Sequence, residues 1–227
     1  MSHAVNSHPI IAVTCLSFEA QVAAGPGIDV LCGTAQRYVD KLESAVKAGG
    51  SGIISIGIAG ALAAGLPVGQ WVVADAVLDD GESLPTDPAW TSRLAARLPE
   101  AARGVLLGVN AMVADATQKA SLHSTTGAVA VDMESHIVAR VARRHRLPFA
   151  AARVISDAAH HNLPPAVLVG MKSDGGMDLP AVLRSLLANP GQLPALIRTG
   201  LEAERGFRAL LRGHRRLGPR LGGPDLA

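Results

Sequence analysis

The stretch VAVDMESHIVARVARRHRLPFAAARVISD, from Val129 to Asp157, reads as strand, helix, strand. Val129 to Met133 and Phe149 to Ile155 are short and rich in β-forming residues, and Ser135 to Arg146 between them reads as a helix. A unit of this kind is the repeating element of a parallel sheet covered by helices. Each strand runs into a carboxylate: Asp132-Met133-Glu134-Ser135 after the first, Ser156-Asp157 after the second. Ligands of such sheets bind beyond the carboxyl ends of the strands, where both motifs fall.

The pattern extends in both directions. Pro9 to Leu16 is a continuous apolar run suited to a buried strand, and Phe18 to Ala24 begins a short helix. Ala35 to Ala48 is helical, with Tyr38, Leu42, Ala45 and Val46 on one side and Gly49-Gly50 as its stop. Ile53 to Ile58, Trp71 to Leu78 and Val105 to Val109 are further strands, and Ala116 to Thr126 a further helix. Beyond Asp157, prolines at 164, 165, 180, 190 and 194 punctuate short helical pieces before a final helix from Leu193 to Leu211. The alternation predicts one α/β domain over residues 9–211 with a largely parallel central sheet flanked by helices. Residues 212–227, basic and rich in helix breakers, are expected to form a mobile tail.

Composition narrows the function. At 227 residues and 48% hydrophobic content the chain can bury a full core. A formal charge of +2 and 3% aromatic residues give no basis for nucleic-acid binding. Cys15 and Cys32 have neither metal-ligand spacing nor the makings of a disulfide framework, and they fit a reducing cytoplasm. No secretory signal is evident in Met1 to His8, and no apolar run reaches the roughly 20 residues of a spanning helix. No metal or organic cofactor is expected.

The carboxylate motifs have an ordinary reading. Asp132 and Glu134 fall where a helix starts, and acidic residues there suit the helix dipole; Ser156 and Asp157 could be an N-cap pair. Together, however, Val131-Asp132-Met133-Glu134-Ser135 and Arg153-Val154-Ile155-Ser156-Asp157 resemble, in order and separation, the superfamily of purine nucleoside phosphorylases and methylthioadenosine/S-adenosylhomocysteine nucleosidases. The resemblance implies that fold, with a mixed, mostly parallel sheet, and cleavage of an N-glycosidic bond. Met133 and Glu134 would bind the ribose, and Ser156 and Asp157 would meet the purine. Cleavage develops positive charge on the sugar and negative charge on the departing base. Asp157 would protonate the base, a contribution of about 10²–10⁴ in rate, provided that burial raises its pKa. Glu134, as an acceptor-only carboxylate, would hold the ribose diol, with charge-assisted bonds worth roughly 1.5–3 kcal/mol each.

Further positions follow from the same resemblance. Ser55-Ile56-Gly57-Ile58-Ala59-Gly60-Ala61-Leu62 is similar to the family's glycine-rich turn, which places Gly57, Ala59 and Gly60 at a phosphate or water site with Arg37 as the candidate phosphate ligand. Ile58 and Ala61 depart from the Ser and Gly usual in the nucleosidases. Asn110-Ala111-Met112-Val113 resembles the segment that packs Met112 on the purine face and turns the Val113 backbone to its edge. Glu19 resembles the glutamate that activates water in the nucleosidases. The branch most similar is the hopanoid-associated phosphorylases, on Val131 to Ile137, Leu163-Pro164-Pro165-Ala166 and Leu183 to Leu196. That resemblance implies removal of adenine from adenosylhopane, with inorganic phosphate as co-substrate and a homo-oligomer, a dimer foremost. The alternatives are a hydrolase using Glu19 and a non-catalytic nucleoside-binding protein. A lipid substrate also implies weak contact with a membrane surface, for which the basic segment from Arg205 to Arg220 is the expected element.

Overall fold

The computed structural model describes residues 8–33, 35–170 and 176–224, with the backbone alone for residues 35–38. The first half of the chain comprises β1 (Ile10–Thr14), α1 (Ser17–Ala23), β2 (Ile28–Cys32), α2 (Ala35–Gly49), β3 (Gly52–Ala61), β4 (Trp71–Asp79), β5 (Glu82–Pro85) and α3 (Pro88–Arg97). The second half adds β6 (Ala102–Gly108), α4 (Ala116–Thr126), β7 (Ala130–Asp132), α5 (Ser135–His145), β8 (Phe149–Asp157), α6 (Pro165–Leu168), α7 (Leu179–Ala188) and α8 (Leu193–Leu217). Three of these elements, β2, β5 and α3, are additional to the expected set.

The eight strands form one mixed sheet, as expected. Parallel pairings join β1 to β2 and β3, β3 to β8, β4 to β6, and β6 to β7; antiparallel ones join β3 to β7 and β4 to β5 and β8. Strands β3, β8, β4, β6 and β7 therefore pair in a closed ring, leaving β1 and β2 as an extension on one side and β5 on the other. Closure removes the free edges that an open sheet would leave on these five strands.

Side-chain alternation divides the core between the two faces. Ile11, Val13, Ile53 and Ala151 pack with Leu42 of α2 and Ile137, Val138 and Val141 of α5. Ile10, Ala12, Ile54, Ala150 and Ala152 pack instead with Val22 of α1, Trp90 and Leu94 of α3, and Leu210 and Leu217 of α8. Covered on both faces, β1 is apolar from Ile10 to Val13 and ends in the buried Thr14. No described helix is long and apolar enough to cross a membrane.

The end of the chain corrects an expectation. In place of a mobile tail from residue 212, α8 continues to Leu217 and a 3-10 turn follows at Pro219–Gly222. Leu217 and Leu221 are fully buried, Trp90 Nε1 donates to the Leu221 carbonyl (3.0 Å), and Arg220 Nη2 donates to Ser51 Oγ (2.7 Å). Apolar burial of these two leucines outweighs the breaker-rich, basic composition on which the expectation rested.

Helix α8 lies close against β4 and β8. A methyl group at Gly213 would overlap the Trp71 ring, whereas nothing lies within 4 Å of such a group at the exposed Gly200 in the same helix. The same substitution is therefore expected to act with opposite sign at the two positions. Gly200→Ala should stabilise by up to about 1 kcal/mol through helix propensity, whereas overpacking of roughly 1–3 kcal/mol should make Gly213→Ala a net loss. Thermal melts of the two variants beside the parent check this.

Candidate active site

The region where β1, β3, β7 and β8 converge brings together an unusual set of buried charges. Arg153, in the middle of β8, is fully buried and sits opposite Gly57 of β3. Its guanidinium meets Asp132 (Nε to Oδ2, 3.1 Å) and Glu134 (Nη2 to Oε2, 3.5 Å), and it donates to Ser55 Oγ (2.5 Å) and Ser135 Oγ (3.2 Å). A buried guanidinium is sustained only by partners of this kind.

Asp132 and Glu134 divide the work at the start of α5. Asp132 Oδ1 accepts from the backbone N–H groups of Glu134 (2.9 Å) and Ser135 (2.7 Å), and Oδ2 accepts from Ser135 Oγ (2.6 Å). Asp132 thus takes the capping role that the ordinary reading offered to both residues. Glu134 makes no capping bond, and its buried carboxyl is left to Arg153 and Cys15. Burial, reinforced by Asp132 and Glu19, pushes the Glu134 carboxyl up to about 7 although Arg153 opposes it.

Glu19 enters the same cluster from α1. Its Oε2 accepts from the N–H groups of Cys15 (2.9 Å) and Leu16 (2.8 Å), and its Oε1 from that of Ile58 (2.7 Å). Desolvation raises its pKa, with Arg153 and the three N–H donors acting against that. A Cβ at position 57 would stand 2.5 Å from Glu19 Oε1 and 2.8 Å from Arg153 Nη1, which is why only glycine fits there. The expected glycine-rich turn at Gly57–Gly60 is instead part of strand β3, paired with β8, and a carboxylate of the protein, Glu19, occupies its Ile58 N–H. Ala59 is buried, and Ser156 Oγ donates to its carbonyl (3.2 Å). The Arg37 side chain lies outside the described residues.

Asp157, the last residue of β8, pairs with Gly60, which lies three residues along β3 from Gly57, about 10 Å of strand. The pairing skips from Ala59–Ile155 to Gly60–Asp157, leaving Ser156 as an extra residue that re-aims the Asp157 side chain. A Cβ at Gly60 would be 3.1 Å from Asp157 Oδ2. Ser156 Oγ donates to Asp157 Oδ1 (2.9 Å), and Lys119 Nζ, fully buried on α4, lies 2.5 Å from Oδ2. The ammonium also donates to the carbonyls of Ala158 (3.1 Å) and His161 (3.0 Å). Asp157 is buried, as expected, but its immediate neighbour is a cation and not an apolar wall, and Ser156–Asp157 caps no helix.

Met133 and Met112 are half-buried, Met133 just before Glu134 and Met112 on the loop after β6; Val113 is buried with Leu62, Leu107 and Val131. That loop is tied to the segment after β8, since Leu163 N–H donates to the Ala114 carbonyl (2.9 Å) and Ala116 N–H to Asn162 Oδ1 (2.7 Å). Lys119, Arg153, Asp132, Cys15 and Ser55 were not among the candidate residues. Of these only Arg153 carried a signal, as a lone charge inside the apolar run from Phe149 to Ile155. Among the described residues no three His, Cys, Asp or Glu side chains are placed to hold a metal ion. A surface depression of about 380 Å³ at the opposite end of β8, against Thr86, Arg143 and Phe149, lacks such a convergence of buried charges.

The Glu134 shift has a stability consequence whose sign is fixed. A carboxyl whose folded pKa exceeds its unfolded value of about 4.5 favours the fold at low pH, and that contribution is lost as pH rises through about 7. Glu134→Gln should therefore melt higher than the parent at pH 8, by roughly 2–4 °C for each kcal/mol relieved, and the gap should close by pH 5. A melting curve at each pH measures it; an equal or lower Tm at pH 8 would contradict the buried-charge cost.

Comparison with known proteins places this arrangement. No curated protein gives a significant match. Among solved structures, an S-adenosylhomocysteine nucleosidase from Streptococcus pyogenes, in complex with 5-methylthiotubericidin, superposes with a TM-score of 0.64 at 17% identity over 95% of this chain and 99% of that one. The 5'-methylthioadenosine/S-adenosylhomocysteine nucleosidase of Helicobacter pylori gives 0.67 at 16% over 94% and 97%, and the futalosine hydrolase of the same organism 0.62 at 17% over 92% and 97%. These show a shared fold, and the sequence model of the phosphorylase superfamily matches residues 21–187. On that match, over most of its length, the chain belongs to the phosphorylase superfamily.

Proposed function

We propose that the protein cleaves the N-glycosidic bond of a purine nucleoside, with adenine as the leaving base. The observation that carries this is the Glu134 carboxyl, freed of helix capping by Asp132 and backed by Arg153 opposite Gly57, with Asp157 at the end of β8 beside Gly60. Glu134 accepts the ribose hydroxyls, and Asp157, oriented by Ser156, passes to the base as the bond breaks the proton that it receives from the Lys119 ammonium, 2.5 Å from its Oδ2. Met133 supports the sugar, and Met112 and the Val113 backbone bound the purine. The branch that the sequence resembles supports adenosylhopane as substrate, phosphate as acceptor with Arg37 as its ligand, and a homodimer as the working assembly.

Water is the second reading for the acceptor, and a specific observation favours it. Arg153 and Lys119 are both engaged by carboxylates, and Glu19 occupies the Ile58 N–H where a phosphate oxygen would otherwise be received. Placing a phosphate beside Glu19 and Glu134 costs electrostatic repulsion, whereas water does not. In that reading Glu19 activates the water.

Release of adenine from adenosine-type nucleosides, measured with and without phosphate, separates the readings. Phosphorolysis requires phosphate and yields a sugar phosphate; hydrolysis proceeds equally without it and is abolished by Glu19→Gln. In either case Asp157→Asn should lower kcat by about 10²–10⁴ with KM within a few-fold, and Glu134→Gln should lower kcat and raise KM together. Near-parental turnover by Asp157→Asn would overturn the proton-donor assignment.

A further inference from the structure

Helices α7 and α8 meet at the 3-10 turn Pro190–Gln192, and the outer sides of both are apolar. On α7, Leu179, Leu183 and Leu187 succeed one another at the spacing of a single helix face, and all are exposed, Leu187 to 83%. On the first turns of α8, Leu193, Ile197 and Leu201 repeat the pattern, each about half exposed. No residue of α7 is buried. Scattered apolar residues are ordinary on a surface, but two consecutive helices carrying such stripes mark a contact site.

The charges on this elbow identify what it contacts. From Met177 to Leu201 the exposed charged residues are Arg184 and Arg198, and no acidic side chain is exposed: Asp178 caps α7, and Glu202, just beyond, is buried against His161 (2.8 Å). A second copy related by two-fold symmetry would set these arginines against a surface with no acid to receive them, and burying an unpaired guanidinium is unfavourable. An anionic lipid surface accepts both features, since leucine stripes enter the acyl boundary while flanking arginines meet phosphate headgroups. The basic stretch from Arg205 to Arg220 keeps Arg205, Arg212, Arg215 and Arg216 exposed but sets beside them one exposed leucine, Leu211, in place of an apolar stripe, so it can add charge to the contact without supplying the part that enters the bilayer.

We infer that the α7–α8 elbow docks the protein on anionic membranes, with Leu187 and Ile197 entering the bilayer interface and Arg184 and Arg198 at headgroup level. The elbow is linked to the site through Gln192, whose Oε1 accepts from Ala166 N–H (2.9 Å) and whose Nε2 donates to the Ser185 carbonyl (2.7 Å), and through the Glu202–His161 pair, since the His161 carbonyl receives Lys119. Docking does not depend on which nucleoside is cleaved, or on whether one is.

The test is sedimentation of the full chain with vesicles of phosphatidylglycerol and phosphatidylcholine in equal parts, and with phosphatidylcholine alone. In parallel, the oligomeric state is measured by analytical ultracentrifugation and the rate on a soluble nucleoside is followed. The parent should pellet with the anionic vesicles at low salt and be released at high salt. Leu187→Glu with Ile197→Glu should cut partitioning at least tenfold without changing Tm, sedimentation coefficient or turnover, and Arg184→Gln with Arg198→Gln should weaken it on the anionic vesicles. Failure of the parent to bind anionic vesicles, equal binding to neutral ones, or dissociation of an oligomer by the Glu pair with vesicle binding intact would overturn the inference. Loss of turnover by the parent itself would bear on the proposed reaction and not on docking.

Discussion

The fully buried guanidinium of Arg153 is the constraint to which the rest of the site answers. A charge in the middle of a strand, covered on both faces, has no access to water and must be balanced within the protein. Asp132, Glu134, Ser55 and Ser135 do so, drawn from β3, the β7–α5 junction and the first residue of α5. Those partners require the sheet to close through β7. The ring of five strands and the polar cluster inside it are thus two aspects of one arrangement.

That cluster costs stability. Three carboxyl groups, those of Asp132, Glu134 and Glu19, surround one guanidinium, and burial raises both Glu134 and Glu19. Protein interiors tolerate such crowding where the strain serves a site. Glycine at position 57 belongs to the same compromise, since any side chain there would displace both Glu19 and Arg153. At the other end of the site, the irregular pairing at Ser156 and the buried Lys119 hold Asp157 in one orientation.

The acceptor question also follows from charge. What can enter beside the glycine-bearing part of β3 depends on the residue that reaches it first. In this chain Glu19 does so, from a short helix whose start is fixed by the hydrogen bonds between its carboxylate and the Cys15 and Leu16 N–H groups. The departure at Ile58 bears on the same place, because its backbone N–H, not a side chain, makes the contact.

Much of the architecture was legible in the residue pattern. The strands and helix of Val129 to Asp157, the doubly buried β1 and the helices α2, α4 and α5 all follow from periodicity, but the expected parallel unit does not form: β7 runs antiparallel to β3 and β8 parallel to it, so the two strands joined by α5 point in opposite directions and pair with β3 on its two sides. Elements that escaped were those whose character comes from a neighbour: β2 is half-buried on the edge beside β1, and β5 is a short hairpin arm after Asp80-Gly81. The Asp87-Pro88 start of α3 was a local signal of the kind that marks helix beginnings, and the chain end read as mobile because its two anchoring leucines sit among arginines and glycines. For the site, sequence alone placed Glu134 and Asp157 at strand ends, since local pattern determines where strands stop. Only the tertiary structure decided that Asp132 takes the cap while Glu134 turns to Arg153, that Lys119 faces Asp157, and that Glu19 and Arg153 meet across Gly57. The pairs Glu134–Arg153, Lys119–Asp157 and Glu19–Arg153 join residues on separate elements far apart in the chain, and no local pattern encodes contacts that form only when the strands close on one another.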